Sequence, residues 1–177
     1  MKRVLALVAT VVLVVAWWVL VPRYGLRSFR IPTVSMAPAL PMGCYVLVHP
    51  TKDVHVGEIA VFRHDPKTML AKRLVAGPGD TVEIRDKKLI VNGREVSEPY
   101  VTYEDPMVYP KQPALPEPYA SRDQFGPYRV PADAYFTLGD NRDRSSDSRY
   151  WGAVSRNDVL GRVVYVVTAN GGMHRPR

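Results

Sequence analysis

The strongest constraint on this chain is an apolar run close to its N-terminus. The run extends from Val4 to Val21, is interrupted only by Thr10, and ends at Pro22. Its 18 residues suffice for a helix that crosses a bilayer. A cleavable leader has a shorter apolar core followed by a small-residue cleavage site, and no such site directly follows the run. We therefore expect residues 1–22 to form an uncleaved transmembrane anchor.

Residues 23–177 are enough for one domain, and their patterns are those of β-strands. Apolar and polar residues alternate over Thr81–Arg85, and Asn92-Gly93 is a strong signal for a hairpin turn. Further strands are predicted over Cys44–His49, Glu58–Phe62, Met69–Ala76, Leu89–Val91, Ala134–Leu138 and Val159–Thr168. The last of these is apolar on both faces, which predicts a position inside a sheet. No amphipathic helix follows residue 22, so we predict a mostly β domain with two consecutive hairpins.

The region from about 99 to 131 differs in composition from the rest of the domain. It contains eight prolines and is also rich in tyrosine. Such a region is typical of an arm or a long loop, which folding tolerates because the entropy of loop closure grows slowly with length. We predict a stiff surface arm, to which the sequence assigns no role.

The chain carries a formal net charge of +7, and its basic residues are spread without a run of five or more. Proteins that bind nucleic acid usually concentrate such charge in a patch or stripe. The charge therefore favours a solvated surface or contact with anionic membrane lipid, and no nucleic-acid partner is expected. The spacing of the histidines matches no recognised metal motif, and we expect no metal and no cofactor.

The segment Ile31–Leu40 holds a serine in an unusual setting. Pro32 and Pro38 prevent a helix from running through it, so the chain there is extended or turning. The segment nevertheless keeps apolar residues on both sides of Ser35. Most serines in such positions satisfy backbone groups in turns. A hydroxyl on a stiffened apolar segment near a membrane is also a candidate nucleophile.

The predicted strand over Met69–Ala76 places a lysine in an apolar row. Because side chains alternate along a strand, Leu70, Lys72 and Leu74 share one face. Burial disfavours charged lysine, and a lysine that acts as a general base near neutral pH needs its pKa lowered by about 2 to 3 units. The commoner alternative is that the ammonium reaches water at the sheet edge. Arg73, on the other face, cannot deprotonate and is a candidate only for an ion pair.

Residues 139–152 form the densest polar stretch of the chain. Composition alone favours a solvated loop. However, its three aspartates, three arginines and three serines allow several hydrogen-bonded ion pairs, and Tyr150 and Trp151 can anchor the loop to the core. A structured loop of this kind can support a catalytic base.

Three motifs lie in the order found in one family. They are S-M-x-P at 35–38, K-R-x-x-x-x-P-G-D at 72–80 and G-D-N-R-D-x-S-x-D-S-R-Y-W-G at 139–152. Together they resemble the bacterial type I signal peptidases, the membrane-bound serine/lysine proteases that remove signal peptides from exported proteins. Residues 56–62 resemble a fourth block of that family. The resemblance implies a mostly antiparallel β catalytic domain, in agreement with the hairpins above.

The resemblance assigns roles position by position. Ser35 corresponds to the nucleophile and Lys72 to the general base. Thr33 stands where the family often has a serine whose hydroxyl, with the backbone N–H of the nucleophile, forms the oxyanion hole. Val34 departs from the small or polar residue often found before the nucleophile, but it removes no catalytic atom.

Further residues take supporting and substrate-binding roles by the same resemblance. The supporting residues are Ser145, which orients the lysine, and the ion pairs Asp147 with Arg149 and Asp140 with Arg73. The residues that line shallow apolar pockets for small side chains are Ile31, Pro32, Met36, Leu40 and Leu70. Set beside Lys72, the segment Ile31–Leu40 is interpreted as the strand that carries the nucleophile.

The resemblance also implies a partner and a location. The substrates are expected to be precursor proteins whose signal peptides have small residues before the cut, and cleavage takes place on the outer side of the membrane. We therefore expect a single-pass protein of the cytoplasmic membrane, with a cytoplasmic N-terminus and residues 23–177 on the outer side. Charge counting does not decide this orientation, because both flanks of the anchor carry basic residues.

Several alternatives were open from the sequence. A Ser-His-Asp hydrolase is disfavoured because no histidine lies in a motif like the nucleophile elbow G-x-S-x-G. A related Ser/Lys peptidase that processes a dedicated conjugation or pilus precursor is one alternative, whereas the anchor argues against a self-cleaving DNA-bound regulator. From another class, an inactive membrane-tethered β-domain that binds a partner is disfavoured by the presence of both Ser35 and Lys72.

Overall fold

The computed structural model describes residues 10, 25–112, 114 and 122–176. The anchor predicted over residues 1–22 lies outside the described residues apart from Thr10, and the boundary at residue 23 stays a prediction. In the part of the chain that is described, no helix is both long and apolar enough to cross a membrane.

The described residues are organised mainly as β-strands. In chain order these are β1 (Arg27–Arg30), β2 (Tyr45–His49), β3 (Ile59–Arg63), β4 (Met69–Ala76), β5 (Thr81–Arg85), β6 (Lys88–Val91), β7 (Arg94–Glu95), β8 (Phe125–Arg129), β9 (Ala134–Leu138), β10 (Val154–Ser155), β11 (Val159–Val167) and β12 (Met173–His174). A single turn of α-helix, α1 (Ser148–Trp151), and two short 3₁₀ turns, Arg142–Arg144 and Arg156–Asp158, lie between β9 and β11.

Two sheets carry these strands. The larger has the order β1-β2-β11-β3-β4-β9-β10, with β12 also paired to β11, and the smaller has the order β7-β6-β5-β8. Neighbouring strands in both sheets pair antiparallel. The prediction of a mostly antiparallel β fold is therefore confirmed, and β11 lies inside its sheet as its sequence indicates.

Three strands begin and end at the predicted residues. The bounds of β4, β5 and β9 are those predicted. Asn92 and Gly93 have φ angles of 52° and 76° and join β6 to β7. Two successive left-handed residues form the turn whose twist suits a tight hairpin, which is why this dipeptide was a reliable signal.

Two segments differ from the prediction. Ile31–Leu40 is a series of turns and not a strand, since Ala37 N–H donates to Val34 O at 3.0 Å and Leu40 N–H donates to Met36 O at 2.8 Å. The proline-rich arm contains β8, which pairs with β5. Pro127 inside β8 argued against a strand, but β8 lies at the edge of the smaller sheet, where a missing N–H is tolerated.

Candidate active site

Three segments far apart in the sequence meet beside one groove. They are the turns of Ile31–Leu40, strand β4, and the loop that follows β9. The groove has a volume of about 360 Å³, and both Ser35 and Lys72 line it. Because β4 pairs along one edge with β3 and only its second half pairs with β9, residues 69–72 lie at the groove wall. The structure thus brings the two principal predicted residues to the same surface.

Ser35 is held at the bottom of a turn with only 8% of its surface exposed. Its Oγ shares a hydrogen bond of 3.1 Å with Thr33 Oγ1. Its carbonyl oxygen accepts from Asn141 N–H at 3.1 Å, which ties the segment to the loop after β9. Within the described chain, no hydrogen bond uses the backbone N–H of Ser35. That N–H and the Thr33 hydroxyl are two donors close to the candidate nucleophile.

Lys72 is buried on β4, with 3% of its surface exposed. Its Nζ donates to Ser145 Oγ at 2.8 Å. Burial lowers the pKa of Lys72 from 10.5 to about 8, while the charges of Asp147 and Asp140 oppose the shift and that of Arg149 adds to it. Of the two alternatives that the apolar row left open, the structure shows the buried one, and desolvation is the main cause of the shift in the pKa of Lys72.

Lys72 Nζ is not hydrogen-bonded to Ser35 Oγ within the described residues. Hydrogen bonds between catalytic groups are often long without substrate and tighten when substrate closes the site. The arrangement leaves the Lys72 amine oriented by Ser145 and facing the groove that it shares with Ser35.

Two buried ion pairs support the loop after β9. Arg149 Nε and Nη2 donate to the two carboxylate oxygens of Asp147 at 2.8 and 2.9 Å. Arg73 Nε and Nη2 donate to those of Asp140 at 2.9 and 2.6 Å. Burial would raise the pKa of Asp147, but the Arg149 guanidinium and the N–H of Gly139 lower it. For Asp140 burial prevails and raises the pKa, although Arg73 acts against it.

Gly139 is a structural requirement that sequence reasoning missed. A Cβ at this position would lie 2.2 Å from Ser145 Oγ and 2.5 Å from the carbonyl oxygen of Ser35. Both distances are shorter than real Cβ contacts, so only glycine lets both serines lie this close to position 139. Gly139 was visible in the sequence as the first residue of the polar loop. That its position has no room for a side chain cannot be inferred from one sequence.

The predicted substrate-binding residues separate into two groups. Ile31, Pro32, Met36 and Leu70 line the groove. Leu40 is fully buried in the core beneath it and does not line the groove. The side chain of Leu40 supports the turns that carry Ser35 and has no surface to offer a substrate.

Known proteins share extended sequence similarity with this chain. The family model described as "Signal peptidase, peptidase S26" matches residues 2–168. The chain belongs to this family. It is 32% identical over 161 residues to signal peptidase I of Bacillus amyloliquefaciens, covering 88% of this chain and 83% of that protein. It is 30% identical over 138 residues to signal peptidase I V of Bacillus subtilis, with coverages of 76% and 81%.

A solved relative in the S26 family is the signal peptidase I of Enterococcus faecalis V583. The two sequences are 36% identical. The match to its crystal structure has a TM-score of 0.47 and covers 62% of this chain and 96% of that chain. Membership in the S26 family rests on the sequence matches and agrees with the three motifs that the sequence presents.

Proposed function

We propose that this protein is a serine endopeptidase that cleaves N-terminal signal peptides from exported precursor proteins. The observation that carries the proposal is the shared groove, in which a buried lysine with a pKa of about 8 lies with a serine hydroxyl. Membership in the S26 family and the names of the relatives, signal peptidase I, support the choice of substrate.

The first chemical step is acylation of Ser35. The neutral amine of Lys72 takes the proton of Ser35 Oγ while the oxygen attacks the scissile carbonyl carbon. The resulting ammonium then protonates the leaving amine as the tetrahedral intermediate collapses. The signal peptide remains bound to Ser35 as an ester, and the mature chain departs with a new amino terminus. Lys72 is neutral again and activates the water that hydrolyses the ester.

Negative charge on the carbonyl oxygen is stabilised by two donors. The Ser35 backbone N–H makes no hydrogen bond within the described residues, and Thr33 Oγ1 lies 3.1 Å from Ser35 Oγ. A donor aimed at developing charge contributes about 2.7 to 4 kcal/mol to transition-state stabilisation. Thr33 is therefore assigned to the oxyanion hole together with Ser35 N–H.

Neighbouring residues orient Ser35 and Lys72, the catalytic dyad of the proposal. Ser145 accepts one N–H of Lys72, which leaves the lone pair of the neutral amine free for the Ser35 proton. Arg149 donates to the carbonyl oxygen of Ser145 as well as to Asp147, so this ion pair holds the Ser145 backbone in place.

The groove and the anchor together define the substrate. Apolar walls formed by Ile31, Pro32, Met36 and Leu70 suit small side chains before the cut. If residues 1–22 span the cytoplasmic membrane once with a cytoplasmic N-terminus, Ser35 follows the span by about a dozen residues and lies at the outer surface. Signal peptides are cleaved where they leave the membrane, so this location matches the proposed activity.

The test compares the wild-type full chain with Ser35→Ala and Lys72→Ala on a precursor that carries an A-x-A cleavage site. We expect wild type alone to release a mature chain whose amino terminus follows the second alanine. A wild type that leaves the precursor intact, or variants that cut as fast as wild type, would reject the proposal. Protease protection of the domain in sealed membrane vesicles tests the orientation separately.

A further inference from the structure

A ring of polar contacts lies behind the loop that carries Ser145, and we call it the Glu98 ring. Its members are Arg73, Asp140, Arg142, Glu98 and Tyr100. Arg142 Nη2 donates to Glu98 Oε1 at 2.6 Å, and the Tyr100 hydroxyl donates to the same oxygen at 2.8 Å. The ring of Tyr100 lies against Arg73, whose guanidinium carbon is 3.8 Å from the ring centroid. The ion pair of Arg73 with Asp140 continues the series of contacts, and the charge of Arg142 also acts on Asp140.

The Glu98 ring is buried and its charges balance. Two guanidinium groups face two carboxylates, and the four charged side chains are at most 6% exposed. Removing one charge from such an arrangement leaves another buried charge without its partner, which is strongly destabilising. The four charged groups therefore hold one another in position, and a change in Glu98 is expected to shift Asp140.

The ring is joined to the reacting groups through Gly139. Arg142 Nε donates to the carbonyl oxygen of Gly139 at 3.0 Å, and Gly139 N–H donates to Asp147 at 3.0 Å. Gly139 is thus held on both sides, and its α-carbon is packed between Ser35 O and Ser145 Oγ. A shift of Gly139 changes the separation between the nucleophile segment and the serine that holds Lys72.

The segment that provides Glu98 and Tyr100 also contacts the nucleophile turns. Thr102 Oγ1 donates to Ala37 O at 3.2 Å, and Thr102 N–H donates to Asp140 O at 2.9 Å. Arg142 N–H returns a hydrogen bond to Thr102 O at 3.1 Å. This first part of the proline-rich arm therefore bridges the two segments whose spacing decides whether Ser35 and Lys72 meet.

We propose that Glu98 and Tyr100 are positioning residues that set the distance between Ser35 and the Lys72–Ser145 pair. The inference rests on the proposed function and names a part of that site which neither the motifs nor the resemblance assigned. Neither Glu98 nor Tyr100 lines the groove. We therefore expect them to act on the chemical step and to leave binding in the groove unchanged.

The first test separates kcat from KM on an A-x-A precursor. Glu98→Gln and Tyr100→Leu are expected to lower kcat by about 10- to 100-fold, the effect of misplacing a catalytic group by roughly an ångström, with KM unchanged. Tyr100→Phe keeps the aromatic ring against Arg73 and is expected to keep most of the activity.

Matched controls use the same substitutions elsewhere. Glu95→Gln removes a carboxylate whose partner, Lys88, is exposed, and Tyr109→Leu removes a ring that lies 4.9 Å from the guanidinium of Arg122. Both controls are expected to keep wild-type kcat. Circular dichroism and thermal melts verify that every variant is folded.

The second test measures the effect of Lys72 on residue 35 without any precursor. In a Ser35→Cys background, a nearby Lys72 ammonium stabilises the thiolate and accelerates alkylation by iodoacetamide, and Lys72→Met abolishes that acceleration. We expect Glu98→Gln and Tyr100→Leu to slow alkylation towards the Lys72→Met rate. Peptide mapping distinguishes the new thiol from Cys44, which is buried and whose pKa burial raises.

The outcomes distinguish this inference from the proposed function. Folded variants with wild-type kcat and wild-type alkylation overturn the inference while the proposed function stands. A loss of melting temperature without a loss of kcat also overturns it, because the residues are then structural alone. If the wild type cuts no precursor, but alkylation of the Ser35→Cys protein is slowed by Glu98→Gln and Tyr100→Leu as expected, the proposed function is rejected and the positioning role is retained.

Discussion

Two lysines of the described chain are buried, and their surroundings differ. Lys72 lies on β4 of the larger sheet, and its Nζ donates to a neutral hydroxyl, Ser145 Oγ. Lys87 lies in the turn between β5 and β6 of the smaller sheet. Its Nζ is 3.5 Å from a carboxylate oxygen of Asp143, donates to the carbonyl oxygen of Asp105, and lies 5.2 Å from the ring centroid of Tyr103.

The difference shows that burial alone does not prepare a base. A carboxylate and a carbonyl oxygen stabilise the ammonium of Lys87 and fix it as part of the link between the arm and the smaller sheet. A hydroxyl does much less for a charge, so desolvation prevails at Lys72 and lowers its pKa. The carboxylate with the larger effect on Lys72, that of Asp147, is already paired with Arg149.

The largest expected effect is on the rate of cleavage. Lys72→Ala removes the general base of both acylation and deacylation, and we expect kcat to fall by about 10³-fold or more. Lys87→Ala removes a lysine of similar burial from the other sheet. The folded fraction of this variant should keep most of the wild-type activity. Initial rates on an A-x-A precursor, normalised to folded protein, measure both. Equal losses in the two variants would show that burial and not base chemistry explains the effect.

The pH dependence is the next largest effect. Only neutral Lys72 accepts a proton, and its pKa is lowered to about 8, so kcat/KM should rise with pH and level off above 8. Below that value each pH unit costs about tenfold, so activity at pH 6 should be about 100-fold below the plateau. Lys87→Gln should leave the profile in place. A wild-type rate that is flat from pH 5 to 9 would contradict a lysine base.

Removing the partner of each lysine gives a smaller effect. Ser145→Ala deletes the one described acceptor of Lys72 and is expected to lower kcat by about 10- to 100-fold through misorientation of the amine. Asp143→Asn, the matched change at Lys87, should alter stability more than kcat. Ser145→Thr keeps a hydroxyl and is expected to restore part of the loss. A Ser145→Ala variant with wild-type kcat would show that Ser145 does not orient Lys72.

Stability should respond in opposite directions at the two lysines. The pKa of Lys72 is lowered in the folded state, so the folded protein binds fewer protons than the unfolded chain between pH 8 and 10.5, and stability rises with pH there. Below pH 8 both states are protonated, and the folded state carries the cost of a buried ammonium, of the order of 3 kcal/mol. Lys72→Met should therefore raise the free energy of unfolding at pH 7 by about 1 to 3 kcal/mol, and the gain should vanish above pH 10.5.

At the other lysine, Lys87→Met should lower the free energy of unfolding by about 1 to 3 kcal/mol, because Asp143 loses a buried partner. Urea unfolding of both variants at pH 7 and above 10.5 measures these differences. A destabilised Lys72→Met protein at pH 7 would show that the Ser145 contact outweighs desolvation.

Local patterns predicted most of the sheet, because strand periodicity and hairpin dipeptides act over a few residues. They failed at β1, where Arg27–Arg30 is an exposed edge strand with little apolar signal, and at β8, where a proline lies inside the strand. The apolar row left two outcomes open for Lys72, burial or an ammonium in water at the sheet edge, and the structure shows the first. The resemblance, and not periodicity, paired Lys72 with Ser35.

The parts of the site that escaped prediction depend on approach between distant segments. Glu98 was one acid at the start of a proline-rich region, and its contacts with Arg142 and Tyr100 appear only once that region packs against the loop after β9. The steric role of Gly139 has the same origin, since the atoms that a Cβ would meet belong to Ser35 and Ser145. A single sequence contains no record of such distances.

The proline in β8 has a consequence for the outer edge of the smaller sheet. Pro127 is exposed and lies in the irregular stretch of β8 between the residues that pair with Val82 and Ile84. An extended chain that approaches this edge meets a bulge and a position without an N–H, so it cannot continue the hydrogen-bond ladder there. The precursor substrates of the proposed function present such chains. The same residue that concealed β8 in the sequence therefore protects this edge against adding a foreign strand.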